Sequence, residues 1–284
     1  MLEDPLVLLY APVLEGKGAS LEALKSQLAE QFSMLTTLEK RKYLSCHEVR
    51  FGEEGKDEDE GSDMDNIPTG RLIRIFRSNA YSSVDWQAGL YPHVALINHD
   101  CHRPNVLNID HQVVSKSKEF SYKRLVLASR DIAAGEELLT TYIPLLDDTA
   151  FRRRRLAQYG FTCMCEACAA ASPEDDAERV RMGEEYYVLR DLTQSPYFDE
   201  MDDDDDDETI AAKMSIWREK MRAPLERAVK LATYIQERGF ADYALETSGF
   251  AYNFANWAHD KEALKYWGDV LEDISLMQSY ESKW

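Results

Sequence analysis

Three cysteines within six residues, Cys163, Cys165 and Cys168, constrain this chain more than any other feature. Thiolates at C-x-C-x-x-C spacing can wrap one tetrahedral metal ion from a single loop, but a closed structural zinc site takes four ligands. The fourth must come from elsewhere in the sequence, which would make the metal a tie between distant segments. Two further cysteines remain, Cys46 and Cys101. Cys46 follows a helical pattern without polar companions and reads as a small buried hydrophobe. Cys101 lies in the turn Asn98-His99-Asp100-Cys101-His102-Arg103-Pro104-Asn105, directly after the apolar segment Leu90 to Ile97. It is the natural fourth ligand, with His102 as the alternative. The odd total of five cysteines, with no basic start and apolar run at the N-terminus, speaks against a disulfide framework.

The chain has 284 residues and is 44% hydrophobic, enough for one sizeable core or two modest ones. No apolar run approaches the ~20 residues of a membrane span, so an intracellular protein, cytoplasmic or nuclear, is expected. The net charge of -19 sits mostly in two acidic runs, Glu53 to Asp65 and Asp199 to Glu208, which hold 17 acids and one lysine between them. Both read as solvated loops, leaving a surface near neutrality without the basic stripe that nucleic-acid binding requires.

Along the chain, Leu6 to Tyr10 reads as a short buried strand. Apolar residues at Leu21, Leu24, Leu28, Phe32, Leu35 and Leu38 predict one helix from Ser20 to about Leu44. Arg71 to Tyr81 resumes ordered structure and carries Asn79. Val106 to Val114 and Tyr122 to Ala128 alternate as strands; Ala134 to Glu137 reads as a turn and Leu138 to Ile143 as a further strand. Asp148 or Thr149 can cap a short helix whose four arginines, Arg152 to Arg155, read as a solvated face. Beyond Ala169 the strand signals stop. Helical patterns run over Ala177 to Leu192, Ile210 to Gly239, Ala241 to His259 and Lys261 to Ser279, the last two suggesting a tetratricopeptide-like hairpin. A boundary is expected near 170–176.

In order, Gly89 to Ile97, Asn98-His99-Asp100-Cys101, Pro104-Asn105, Gly135-Glu136-Glu137, Tyr142, and Tyr159-Gly160-Phe161 with Cys163, Cys165 and Cys168 resemble the second half of a SET domain with its post-SET zinc loop. The likeness is to the SET-and-MYND (SMYD-like) branch and to related fungal SET proteins. It covers about 80 residues, with weaker similarity from Arg71. The resemblance implies an α+β architecture: a β-rich SET fold with a knot-like crossing over 1–170, the zinc loop at 159–170, then an all-α region over 177–284. It implies protein-lysine methyl transfer from S-adenosylmethionine to a histone or another protein. Asn79, Asn98, His99, Tyr142 and Phe161 would be the cofactor contacts. Tyr142 would be the catalytic tyrosine, with Tyr159 as the second wall of the lysine channel. Cys101, Cys163, Cys165 and Cys168 would hold the zinc.

Two departures qualify the match. The family's opening Gly-x-Gly turn and first strand, and any MYND module, have no counterpart here; Gly16-Lys17-Gly18 falls too late, after Pro5-Leu6. Weak cofactor binding is therefore expected. The family's N-H-S-C-x-P-N becomes Asn98-His99-Asp100-Cys101-His102-Arg103-Pro104-Asn105, whose extra residue is able to shift Asn105 relative to Asn98. The alternatives to a methyltransferase are a SET-derived interaction module without activity and a SET scaffold turned to small-molecule chemistry.

Overall fold

The computed structural model describes residues 1–10, 21–50, 64, 66–82, 87–114, 120–194 and 205–278. The Gly16-Lys17-Gly18 segment, Ser20 and nearly all of the two acidic runs lie outside them. The runs' exceptions are residue 64 and residues 205–208; Asp206 caps the helix that follows by accepting from Thr209 N at 2.8 Å.

The first half is built of short strands. β1 (Leu2–Glu3) pairs antiparallel with β7 (Phe120–Ala128), which pairs antiparallel with β6 (Val106–Val114) in the order β1-β7-β6. β2 (Val7–Tyr10) and β3 (Ala80–Ser82) flank β4 (Gln87–Leu90), both antiparallel to it. The outer edge of β2 is closed by a side chain: Gln31 accepts from Leu8 N at 3.0 Å and donates to Leu8 O at 2.6 Å. That amide imitates a neighbouring strand and satisfies an edge that would otherwise pair with another chain.

The helix expected over 20–44 is two, α1 (Leu21–Met34) and α2 (Thr37–Leu44). The break is chemical. The Thr36 side chain accepts from Glu39 N while the Glu39 carboxylate accepts from Thr36 N at 2.8 Å, a reciprocal capping box that starts a new helix. α3 (Thr69–Asn79) packs Leu72, Ile75 and Phe76 against Val7, Leu9, Leu28 and Phe32, and buried Tyr43 donates to Leu72 O at 2.7 Å. A second core, under β6 and β7, holds Tyr91, Val94, Ile97, Val106 and Val126.

β5 (Asn98–His99) and β8 (Leu139–Thr140) run parallel, and here two distant segments interlock. Asp100 N donates to Thr140 O at 3.1 Å and Asn105 N to Leu139 O at 2.8 Å. Asn105 is fully buried: its side chain accepts from Leu139 N at 2.8 Å and donates to Glu136 and to Glu137 O. The extra residue before Pro104 thus leaves Asn105 as the fastener of the crossing. The strand expected over 138–143 shrinks to two residues: among the described residues β8 pairs with β5 alone, and Tyr142 already lies beyond that pairing.

α4 (Thr149–Leu156), capped by Asp148, and α5 (Glu166–Ala169) frame the cysteine loop. The helical region follows: α6 (Pro173–Gln194), α7 (Asp207–Lys220), α8 (Arg222–Arg238), α9 (Ala241–Ala258) and α10 (Lys261–Gln278). The largest core runs unbroken from Cys101, Cys163 and Cys168 through Leu145, Leu156 and Met182 to Leu231, Phe254 and Trp267. α6 approaches the 145–147 segment so closely that a Cβ on Gly183 would stand 2.4 Å from Leu146 O. Alanine favours a helix over glycine by about 1 kcal/mol, yet Gly183→Ala is expected to destabilise by roughly 1–3 kcal/mol, since two packed backbones must separate. A urea-denaturation midpoint at or above that of the native chain would contradict this contact.

Candidate active site and metal centre

The six side chains singled out from sequence for cofactor and lysine all border one cavity. Asn79, Asn98, His99, Tyr142, Tyr159 and Phe161 line a chamber of about 410 Å³, together with His47 and Ser78. A second chamber of about 200 Å³ adjoins it, shares Ser78, Asn79, Tyr142 and Tyr159, and adds Tyr81 and Thr141. Tyr142 and Tyr159, ring centroids 5.0 Å apart, border both spaces. The larger cleft of about 880 Å³ between the Arg103–Pro104 turn and α8 to α10 includes none of the six.

Each side chain is held by its backbone neighbours. Asn79 ends α3, nearly buried, and gives its amide hydrogens to His47 O at 2.6 Å and Ile75 O at 2.7 Å, so only its carbonyl oxygen is uncommitted. His47 in turn contacts Tyr159 O at 3.2 Å. Asn98 is exposed and donates to Glu137 at 2.7 Å. Phe161 keeps 37% of its surface accessible, an open ring face 6.5 Å from the His99 ring. Gly160 between the two aromatics adopts φ +78°, and a Cβ there would press on Val49 at 3.2 Å.

His99 joins the cavity to the cysteines. Its Nδ1 accepts from Tyr142 N at 3.0 Å, which requires the neutral ring to carry its proton on Nε2, 2.9 Å from Cys101 Sγ. Burial pushes the imidazole down to about 4, so the ring is neutral at physiological pH. The Tyr142 hydroxyl donates to Ile97 O at 2.7 Å, and burial pushes the phenol up to about 12. The segment carrying Tyr142 is also gripped from the helical region: Thr141 donates to Asp242, and Leu145 N donates to the Tyr243 hydroxyl at 3.3 Å.

The sulfurs of Cys101, Cys163, Cys165 and Cys168 lie within 4.8 Å of one another, with Cys101 at 3.9 Å from Cys163 and 3.7 Å from Cys168. A tetrahedral zinc with bonds near 2.3 Å sets its sulfurs about 3.8 Å apart, so the donor set and spacing fit such an ion. His102 instead faces Glu166 at 3.3 Å. Cys46 stays apart from the cluster, buried beyond the end of α2.

The expected solvated arginine face is corrected by the structure. Arg154 and Arg155 are exposed, but Arg152 is only 1% accessible beside Cys168, and Arg153 donates to Cys168 O at 2.7 Å. Their adjacency to a cysteine cluster was the available signal. His47, Ser78, Tyr81 and Thr141 carried none, because only tertiary folding brings them to the cavity.

The turn before β8 has its own electrostatics. A bond from Arg130 at 2.5 Å, the Ala133 N–H at 3.0 Å and Asn105 hold the Glu136 carboxyl down at about 2, against 4.5 unperturbed. This stabilisation is complete above the unfolded value and is lost as pH falls from 4.5 towards 2. Glu136→Gln is therefore expected to lower Tm at pH 7 and to converge with the native chain as pH drops through that window. A pH-independent gap would refute the assignment.

Residues 12–143 match the family model described as the SET domain. Those residues form a SET domain. The chain matches Histone-lysine N-methyltransferase Smyd1 of Mus musculus with 40% identity over 93 residues, which is 31% of this chain and 19% of that protein. Histone-lysine N-methyltransferase set5 of Schizosaccharomyces pombe is 35% identical over 101 residues, 35% of this chain and 29% of its own length. N-lysine methyltransferase SMYD2-A of Danio rerio is 31% identical over 123 residues, 41% of this chain and 26% of its own. The chain therefore spans less than a third of each of these relatives. The SET domain, with its small sheets, is followed by a helical C-terminal region, and among the described residues no helix is long and apolar enough to cross a membrane.

Proposed function

We propose that this SET domain binds S-adenosylmethionine in the larger chamber and methylates a lysine of a protein, histone or other, that enters through the smaller one. The observation that carries the reading is the convergence of Asn79, Asn98, His99, Tyr142, Tyr159 and Phe161 on two adjoining chambers with two shared tyrosines. When bound, S-adenosylmethionine supplies a sulfonium methyl group open to in-line attack by an amine. The chain's residues then supply alignment and dryness. Tyr142, Tyr159 and Tyr81 surround the narrow space with rings that exclude water, which disfavours the charged ammonium and leaves the nitrogen lone pair free. The Tyr142 hydroxyl, spending its proton on Ile97 O, offers its oxygen to an amine hydrogen and so orients the nucleophile. The open face of Phe161 suits the adenine, and Asn98 and the Asn79 carbonyl suit the cofactor's polar end.

Under the same reading the four cysteines hold one structural zinc, so that residues 1–170 form the catalytic unit and the helices from 177 a second one. The protein would work in the nucleus or cytoplasm, where lysine-bearing substrates are met. Calorimetric titration with S-adenosylmethionine, carried to millimolar ligand, tests the proposal. Saturable binding that His99→Ala abolishes supports it. No heat in the native chain up to that concentration refutes it.

A further inference from the structure

Two guanidinium groups are buried beside the cysteine cluster with almost no carboxylate to balance them. Arg152, on α4, is 1% accessible and Arg179, on α6, is 2% accessible. Arg152 donates to Thr149 Oγ1 at 2.8 Å and stands 3.8 Å from Cys168 Sγ. Its nearest acid, Asp176, is 3.8 Å away, and that same oxygen already accepts from Thr149 N at 2.9 Å and Thr149 Oγ1 at 2.8 Å. Arg179 donates to Cys101 O at 3.3 Å and Leu145 O at 3.1 Å, with its guanidinium 4.9 Å from the Phe240 ring centroid. Among the described residues it has no ion pair.

Burying an uncompensated cation costs several kcal/mol. Four neutral thiols would not offset that cost. Four thiolates around a divalent ion would, because such a centre carries a double negative charge, matched in number by the two buried guanidiniums. We propose that Arg152 and Arg179 are the positioning and charge-compensating residues of the metal centre, so that metal occupancy and the docking of α6 are one cooperative event. The inference rests on the zinc reading of the cluster and extends it to the helical region. Arg179 belongs to the first helix of that region yet bonds the backbone of a cysteine in the crossing, so its charge and its grip act at the same place.

The test measures zinc release from the zinc-loaded full chain into excess chromogenic chelator. Arg152→Met and Arg179→Met, which keep an unbranched apolar stem but remove the charged guanidinium head, are expected to speed release at least about tenfold. Arg179→Lys, which keeps the charge, should stay within about threefold of native. Repeating the methionine substitutions in a Cys165→His background, where the centre loses one negative charge, should shrink their effect. If lysine at 179 is as damaging as methionine, or if the methionine penalty is equal in both backgrounds, the arginines act by shape and hydrogen bonding alone and the proposal is overturned. Should Arg179→Met fail to fold with four cysteines, folding in the Cys165→His background supports the proposal and failure in both overturns it. A native chain that purifies without zinc overturns the metal reading itself, an outcome distinct from zinc that is held but indifferent to Arg179.

Discussion

Cys101→Ser is expected to strip the cysteine cluster of its metal and to destabilise the chain by roughly 3–5 kcal/mol, the largest effect of any single substitution considered. The serine oxygen cannot replace a thiolate, and the loss does not stop at one ligand. Cys101 lies fully buried in the largest core, next to Cys163 and Cys168 and within 2.9 Å of His99 Nε2. Without the metal, the loop from 163 to 168 has no tie to the β5 crossing, and His99 loses the partner opposite its bond from Tyr142 N. Elemental analysis should fall from about one zinc per chain to a small fraction, and Tm should fall by about 10 °C on the scale expected for a chain of this size. An unchanged Tm in a protein that never contained zinc would remove the metal from the account.

Tyr142→Phe is expected to slow methyl transfer by about 10²- to 10³-fold, in line with the loss of one aligned polar group at a reacting centre. Stability should change little, by about 1 kcal/mol for the lost hydrogen bond to Ile97 O. The ring still fills its place, 5.0 Å from Tyr159 and 5.3 Å from His99. Cofactor affinity, read by calorimetry, should persist because the phenol lies between the chambers while Asn98 and Phe161 belong to the larger one alone. A variant that transfers methyl groups at the native rate would show that Tyr142 is wall and nothing more.

Residue type and order made most of the cavity legible in the sequence, since a motif fixes which side chains can meet once its strands cross. The β6 and β7 hairpin was likewise visible in alternation, and Cys101 in simple ligand counting. What escaped had physical causes. The helix over 20–44 broke at Thr36 because a T-x-x-E box overrides a continuing apolar stripe, a local signal present but outvoted by periodicity. Arg152 and Arg179 are buried, although a run of arginines on a helix reads as a solvated face, because burial is decided by tertiary partners: Arg152 packs beside Cys168, and Arg179 reaches the backbone of Cys101 and Leu145. Thr141 and Asp242 meet only because α9 packs against the end of β8, which no pattern within either segment announces.

If the two chambers bring a sulfonium methyl and a protein lysine together, the methyl group must pass from one to the other. The direct measurement is transfer of an isotopically labelled methyl group from S-adenosylmethionine, supplied at millimolar concentration, to a mixture of histones and other lysine-bearing proteins. Complete hydrolysis then identifies the labelled amino acid. Label is expected in N-ε-methylated lysine, slow with the native chain and nearly lost in Tyr142→Phe. Saturable cofactor binding without any transferred label, or label found only on a small molecule, would contradict it.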